Sequence, residues 1–390
     1  MLPLAKKIKL ALIGPLSNAS HQMQSDYTGS NNLISQHTPF LAIAKSVEQN
    51  GGAVTSSMGC AVRSADVSQI SSAVEACRAA DVCALFLGMD NSIEGEGNDR
   101  QNITLPGVQS QLATAVIAVG KPTVVVLKGG AALAIADIKA TAPAVVNAMY
   151  PGEMGGQAIA DVLFGDYSPS ARMTYTMYDA GISSLRSMYD MSLRGTPDSQ
   201  NGGITYQFYE NAFGAPLWPF AAGLSYTTFS HKCTQSSLRA STLEAASRER
   251  PLSYECSVTN TGSVTSDTVV LGWLTSNATD APLVELIAFG RVTTLQPGKT
   301  ATVNMTLPPQ VLALVDEEGT SSVRAGDYQL RIGGDALGGG CDIDVSGAKG
   351  GETTSSTSCA RMKLILHGEE QVLFSMTEVE RRHAQHAVTP

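Results

Sequence analysis

From residue 8 to about residue 178, short apolar runs alternate with segments whose apolar residues recur at helical spacing. Runs with the length and composition of buried strands include "IKLALIGP", "AVTSSMG", "VCALFLGM", "PTVVVLKGG" and "AVVNAMYPG". The segments between them, such as "VSQISSAVEACRAAD" and "GGQAIADVLFGD", have the pattern of amphipathic helices. This alternation predicts an α/β sandwich over residues 1–178, a mostly parallel sheet with helices packed on its faces.

The pattern changes beyond residue 228, where polar and apolar residues alternate between turns rich in Gly, Pro and Asn. This spacing predicts an antiparallel β-sandwich of about seven strands over residues 229–368. Residues 179–228 are aromatic and show little periodicity, so we expect a connecting arm that packs on a neighbouring domain. Residues 336–357 are expected to form a loop, and residues 369–390 a tail that is helical as far as residue 388.

An acidic segment, "DNSIEGEGNDR" at residues 90–100, directly follows the predicted buried strand "VCALFLGM". In parallel sheets, the loops at the carboxyl ends of strands carry functional groups. This segment holds Asp90, Glu94, Glu96, Asp99 and Arg100, and its glycines allow close approach to a ligand. Asp99 and Arg100 are expected to anchor the loop through an ion pair, because guanidinium groups favour carboxylates. An acidic loop is also typical of solvated surface, so the residues alone leave both interpretations open.

The composition argues against several functions. A net charge of −9 argues against a nucleic-acid surface, and no apolar stretch approaches the ~20 residues that cross a bilayer. The N-terminal "MLPLAKKIKLALIGP" has too short an apolar run for a clear signal peptide, so we expect it to enter the first strand. The seven cysteines form no C-x-x-C pair and no cluster with histidine, and neither a metal nor an organic cofactor is predicted. Cys341 and Cys359 could pair or stay free.

Several motifs occur in a fixed order along the chain: "LALIGPLSNASHQMQSDYTG", "DNSIEGEGNDRQNITLPG", "YPGEMGGQAIADVLFGDYSPSARMTYT", "TYQFY", "FAAGLSYTTF", "VTNTGS" and "LQPGKT". Together they resemble the C-terminal half of glycoside hydrolase family 3 enzymes, in particular the branch of β-xylosidases and α-L-arabinofuranosidases. The resemblance covers roughly residues 8–335. It implies an α/β sandwich followed by a fibronectin type III-like domain.

The resemblance also implies a catalytic role for the acidic loop. In this family a (β/α)8 barrel carries the nucleophilic aspartate, and the α/β sandwich supplies a glutamate as general acid/base. Matching "SIEGEG" to the family pattern places Glu94 at the acid/base position, with Glu96 as the alternative; Asp90, Asp99 and Arg100 are candidates for substrate binding. Retaining hydrolysis needs two carboxyl groups about 5–5.5 Å apart. The 390 residues leave no room for the barrel, which is expected in cis on a longer chain or in trans.

The expected substrate is a glycan of the xylan or arabinoxylan type, cleaved at terminal β-linked pentoses. The main alternative is a non-catalytic carbohydrate-binding or structural remnant, or a truncated gene model. One departure weakens the expected sugar contacts, since the family usually has a polar residue where this chain has Ala131 to Leu133. An extracellular or secretory location is implied by the resemblance alone.

Overall fold

The structure is a computed structural model that describes the chain except residues 30–35, 188, 196–201, 212–213, 235–251, 279, 317, 336–359, 367–370 and 375–390. The chain forms two compact units. The first unit comprises Met1–Ser168, Thr176–Met191 and Phe213–Trp218. The second comprises Pro169–Tyr175, Ser192–Ala212 and Pro219–Pro390. The predicted domain limits at residues 178, 228 and 368 stay predictions.

The first unit is built on a five-stranded parallel sheet. Its strands are β1 (Lys9–Ile13), β2 (Ala53–Ser57), β3 (Val82–Gly88), β4 (Thr123–Lys128) and β5 (Ala144–Asn147), in the order β2-β1-β3-β4-β5. The helices are α1 (Pro39–Glu48), α2 (Ile70–Ala79), α3 (Gln109–Ile117), α4 (Ala136–Thr141), α5 (Gly155–Phe164) and α6 (Ile182–Leu185). Every strand and helix predicted for residues 1–178 is present; the short helix α4 is an addition there, and α6 lies in the predicted connecting arm.

Alternation along the strands divides the first unit's core into two layers. Residues 83, 85 and 87 of β3 pack in one layer with α2, α3 and Ile138 of α4. Residues 84 and 86 pack in the opposite layer with α1 and α5. Because both faces are covered, β3 and β4 are continuously apolar over most of their length, as parallel strands require. The predicted α/β sandwich is confirmed.

The second unit is mostly antiparallel, with strands arranged in sheets of order β10-β7-β6, β14-β13-β8-β9 and β11-β12-β15. The short helix α7 (Thr205–Phe208) precedes these strands. The strands are β6 (Phe229–Thr234), β7 (Leu252–Asn260), β8 (Ser266–Ser276), β9 (Glu285–Leu295), β10 (Thr300–Leu307), β11 (Ala313–Val315), β12 (Ser321–Val323), β13 (Gly326–Ile332), β14 (Ala360–Leu366) and β15 (Gln371–Phe374). A shared core joins β7 and β10 to β8 and β13. This is the predicted sandwich of fibronectin type III-like character.

The predicted helical tail is wrong at its start, because Gln371–Phe374 is a strand that pairs with Ser321–Val323. A short isolated helix is costly to nucleate, whereas a strand edge offers ready backbone partners. Residues 375–388 of the predicted helix, and the loop predicted at residues 336–357, lie outside the described residues.

Two disulfides occur in the described part of the chain, Cys77–Cys83 and Cys233–Cys256. The first links the end of α2 to β3, and the second joins register partners on β6 and β7. Cys60 is buried and free. Cys341 and Cys359 lie outside the described residues, so their pairing stays open.

Asn260, in the "VTNTGS" motif at the end of β7, organises the turn into β8 from a fully buried position. Its Nδ2 donates to the carbonyl oxygens of Val264 and Leu295, both at 2.8 Å. Its Oδ1 accepts from the Thr227 hydroxyl at 2.6 Å and from the Gly262 N–H at 3.1 Å. The buried amide therefore makes four hydrogen bonds at once, two of them fully buried.

We expect Asn260→Ala to lower the free energy of unfolding by about 2–3 kcal/mol, because buried donors and acceptors lose their partners. Asn304→Ala on β10 is the matched control, since Asn304 is exposed and its replacement is expected to change stability little. Urea denaturation of both variants measures the difference. Equal stabilities of the two variants would contradict the structural role of Asn260.

Candidate active site

The acidic loop, residues 89–104, begins where β3 ends at Gly88. In a parallel sheet the carboxyl ends of all strands meet at one edge, so this loop is a neighbour of the loops after β1, β4 and β5. The backbone bridge between Thr104 and Ala134 joins it to the loop after β4. The Ala134 N–H donates to the Ile103 carbonyl oxygen at 2.8 Å. The loop that carries the acidic residues is therefore held to the loop after β4 by backbone hydrogen bonding.

Asp90 shapes the first turn of the acidic loop. Its Oδ1 accepts from the backbone N–H of Ser92 at 3.0 Å and from the Ser92 hydroxyl at 2.6 Å. Its carbonyl oxygen accepts from the Ile93 N–H at 2.9 Å. Short polar side chains commonly stabilise turns through such bonds. One carboxylate oxygen of Asp90 is thereby committed to the loop itself.

Glu94 forms an ion pair with Arg100 through its Oε2 and the guanidinium Nε. The Arg100 side chain is only 7% exposed, whereas that of Glu94 is 30% exposed. Arg100 Nη2 also donates to the Ala132 carbonyl oxygen at 2.8 Å. The predicted ion pair of Asp99 with Arg100 is wrong, because the fold of the loop brings Glu94 to the guanidinium instead. Asp99 is exposed and makes no ion pair within the described residues.

Asp26, from the loop after β1, contacts the acidic loop at Gly95 and Glu96. The Glu96 N–H donates to Asp26 Oδ2 at 2.7 Å. A Cβ at Gly95 would lie 2.4 Å from the same oxygen, so a larger residue at this position would displace the Asp26 carboxylate. The exposed Glu96 carboxylate accepts a hydrogen bond from Tyr27, which raises the pKa of the tyrosine hydroxyl. Glu94 and Glu96 therefore have different partners and are not equivalent.

Tyr150, from the loop after β5, brings a hydroxyl to this edge. Burial raises the pKa of Tyr150, and the negative charges of Glu94, Asp90 and Asp26 raise it further. Because its pKa is raised, the Tyr150 hydroxyl stays protonated at neutral pH and can donate a hydrogen bond. The residue before it, Met149, has a left-handed φ of 51°, a conformation that costs energy in a residue with a side chain.

Sequence reasoning missed Asp26, Tyr27 and Tyr150. Their signal was available, because Asp26 and Tyr27 follow β1 and Tyr150 follows β5 on the same sheet.

Sequence reasoning also missed Lys128, a lysine at the end of the apolar run of β4. Lys128 is fully buried, and its Nζ has no hydrogen-bond partner in the described part of the chain. Burial lowers the pKa of Lys128 to about 7.

The described residues include no group of three or more His, Cys, Asp or Glu side chains that could hold a metal ion. Within the same residues, no helix is both long and apolar enough to span a membrane. The edge gathers carboxylates, tyrosine hydroxyls and the Arg100 guanidinium, which are groups suited to hydrogen-bonding and proton transfer with a polyhydroxylated ligand.

Two protein families match the chain. Residues 1–226 match the glycosyl hydrolase family 3 C-terminal domain, and residues 269–336 match the fibronectin type III-like domain. The exo-1,4-beta-xylosidase xlnD of Emericella nidulans is 32% identical over 348 residues, covering 85% of this chain and 42% of the relative. A probable exo-1,4-beta-xylosidase of Aspergillus terreus is 34% identical, covering 85% of this chain and 43% of the relative. The chain thus spans less than half the length of these curated relatives.

Solved structures agree with this assignment. A family 3 exo-beta-xylosidase in complex with a xylobiose aziridine activity based probe superposes with a TM-score of 0.81 at 30% identity, covering 96% of this chain and 47% of that chain. A b-glucosidase from Erythrobacter marinus superposes with a TM-score of 0.72 at 26% identity, covering 94% of this chain and 48% of that one. Since the family match spans more than half of the residues and the fold agrees, the chain belongs to glycosyl hydrolase family 3, in its C-terminal domain.

Proposed function

We propose that this chain supplies the general acid/base of a retaining, exo-acting β-xylosidase, with Glu94 in that role. The nucleophilic aspartate would come from a (β/α)8 barrel, present in cis on a longer chain or in trans. The observation that carries the proposal is the place of Glu94, partly exposed on the loop after β3 at the carboxyl edge of the sheet, where the nearly buried Arg100 orients its carboxyl group. Their ion pair fixes a partly exposed carboxyl group where a second domain or a substrate can reach it.

The reaction has two displacement steps. In the first, a barrel carboxylate attacks the anomeric carbon while Glu94 gives its proton to the departing glycosidic oxygen, leaving a covalent glycosyl-enzyme. In the second, the Glu94 carboxylate takes a proton from water as that water displaces the barrel carboxylate from the anomeric carbon. Glu94 ends protonated, the nucleophile ends free, and the sugar keeps its β configuration.

The other residues of the acidic loop have different roles in this proposal. Glu96 remains the alternative acid/base, because it is exposed and lies two residues away. Asp99 is exposed and available to accept hydrogen bonds from sugar hydroxyls, and Asp90 retains one carboxylate oxygen for the same purpose. The proposed substrate is the terminal β-linked pentose of a xylan or arabinoxylan-type glycan, which the names of the curated relatives support.

The test joins the full chain in frame behind the barrel half of the Emericella nidulans relative, replacing the matched part. We expect this chimera to hydrolyse phenyl β-xyloside and to release β-xylose first, as followed by proton NMR. The barrel half alone is the control and is expected to be inactive, because it lacks the acid/base. A chimera that unfolds cooperatively but hydrolyses no aryl xyloside would favour the alternative, a non-catalytic carbohydrate-binding or structural remnant.

A further inference from the structure

Arg100 connects two loops of the sheet edge. Its Nε contacts Glu94 in the acidic loop, and its Nη2 donates to the Ala132 carbonyl oxygen in the loop after β4. The second contact is made to the backbone, so it does not depend on which side chain occupies position 132. The guanidinium therefore ties the position of the Glu94 carboxylate to the backbone of the loop after β4.

Within the described residues, the Glu94 side chain has no other anchor. Arg100 is the one partner of its carboxylate within the described residues, and its backbone N–H makes only a long bond of 3.4 Å to the Asp90 carbonyl oxygen. A glutamate without a side-chain partner samples several rotamers, and only some of them would point at a reacting oxygen. Loss of the Arg100 side chain would therefore let the Glu94 carboxyl group rotate between rotamers, while Glu94 itself stays at the same position in the loop.

The burial of Arg100 is costly for the fold. Its Nη1 is buried and has no hydrogen-bond partner in the described part of the chain. A buried donor without a partner destabilises a protein, so its presence requires an explanation other than stability. The planar guanidinium of Arg100 holds two acceptors, the Glu94 carboxylate and the Ala132 carbonyl oxygen, in fixed directions. The single ammonium group of lysine does not reproduce this geometry.

We infer that Arg100 is a positioning residue for proton transfer, which acts through Glu94 and does not contact the sugar. This inference rests on the proposed function and extends it. It also replaces the expected substrate-binding role of Arg100, because a side chain that is 7% exposed has its donors turned to the protein.

The test uses kcat/KM of the chimera for two substrates that differ in leaving group. Phenyl β-xyloside needs a proton on its leaving oxygen, whereas 2,4-dinitrophenyl β-xyloside leaves as a stable anion. We expect Arg100→Met to lower kcat/KM for the phenyl substrate about 100-fold, because small misplacement of a catalytic group has effects of this size. The value for the dinitrophenyl substrate should fall only a few-fold. Arg100→Lys should lie between Arg100→Met and the parent chimera.

Arg63→Met is the matched control. Arg63 is exposed and its Nη1 donates to the Ser92 carbonyl oxygen at 3.0 Å, so it contacts the same loop without touching Glu94. We expect this variant to change neither leaving-group dependence nor kcat/KM by more than a few-fold. Added guanidinium should partly restore the phenyl activity of Arg100→Ala, which leaves a cavity of matching shape, and should not affect the Arg63 variant.

The outcomes separate the two proposals. A large leaving-group dependence in Glu94→Gln with none in Arg100→Met would overturn the positioning role alone. Equal losses on both substrates in Arg100→Met, without rescue by guanidinium, would show a purely structural role and would also overturn it. The absence of leaving-group dependence in Glu94→Gln itself would overturn the proposed function and, with it, this inference.

Discussion

Glu94→Gln in the chimera is expected to lower kcat/KM for phenyl β-xyloside by about 10²–10⁴-fold, the usual contribution of general acid catalysis. Glutamine has nearly the shape of glutamate and can still accept a hydrogen bond from Arg100, but it has no proton to give to the leaving oxygen. The value of kcat/KM for 2,4-dinitrophenyl β-xyloside should change little, because that leaving group departs unprotonated. Steady-state kinetics with both substrates measures the contrast.

Glu96→Gln is the matched control for this variant. Glu96 lies two residues further on, is exposed, and interacts with Asp26 and Tyr27 and not with Arg100. We expect the chimera with this change to keep most of its activity toward both substrates. If Glu96→Gln shows the leaving-group dependence and Glu94→Gln does not, the acid/base role moves to Glu96.

Lys128→Met is expected to raise the stability of the first unit by about 3–5 kcal/mol at neutral pH and below. Each unit of pKa shift corresponds to about 1.4 kcal/mol. Burial lowers the pKa of Lys128 from 10.5 to about 7, a difference of roughly 3.5 units that sets the upper end of this range. Methionine has a similar length and no charge, so it fills the same space without the cost of burying an ammonium group. Thermal and urea unfolding measure the difference.

The stability gained by Lys128→Met is expected to depend on pH. Below pH 7, Lys128 is protonated in both the folded and the unfolded chain, and the folded state bears the full cost of the buried charge. Between about pH 7 and 10.5 the unfolded chain binds one more proton than the folded chain, so the stability of the parent rises with pH. The advantage of Lys128→Met should therefore shrink steadily over this interval.

Lys45→Met provides the control for Lys128→Met, because Lys45 is exposed on α1 of the same unit. This control is expected to show a small effect on stability at every pH. A Lys128→Met variant that is less stable than the parent at pH 6, or an advantage that does not depend on pH, would contradict the buried and unpaired state of Lys128.

The layout of the first unit could be predicted from the sequence because it depends on local patterns. Continuous apolar runs such as β3 and β4 are typical of strands covered on both faces, and parallel pairing places their carboxyl ends together. Those two facts are sufficient to place the acidic loop at the carboxyl edge of the sheet. The same two facts place Asp26 and Tyr150 at that edge, because these residues follow β1 and β5 of the same sheet.

The partners within the site could not be predicted in the same way. The proximity of Asp99 to Arg100 in the chain suggested a shared anchoring role, but the fold of residues 94–100 brings Glu94 to the guanidinium. Contacts of this kind depend on turns such as that between Gly95 and Asn98, whose geometry is set by tertiary neighbours including Asp26. The strand Gln371–Phe374 was missed for a similar reason, since its pairing partner is about 50 residues distant in the chain.

The most direct test of the central claim is the reaction of the Glu94→Ala chimera with 2,4-dinitrophenyl β-xyloside in the presence of azide. Without its base, this variant should accumulate the glycosyl-enzyme, because water is slow to attack. Azide needs no base, so it should accelerate turnover and yield β-xylosyl azide, which NMR identifies by its anomeric configuration. An unchanged rate with xylose as the sole product for Glu94→Ala, together with azide acceleration of Glu96→Ala, would contradict the assignment of Glu94 as the acid/base.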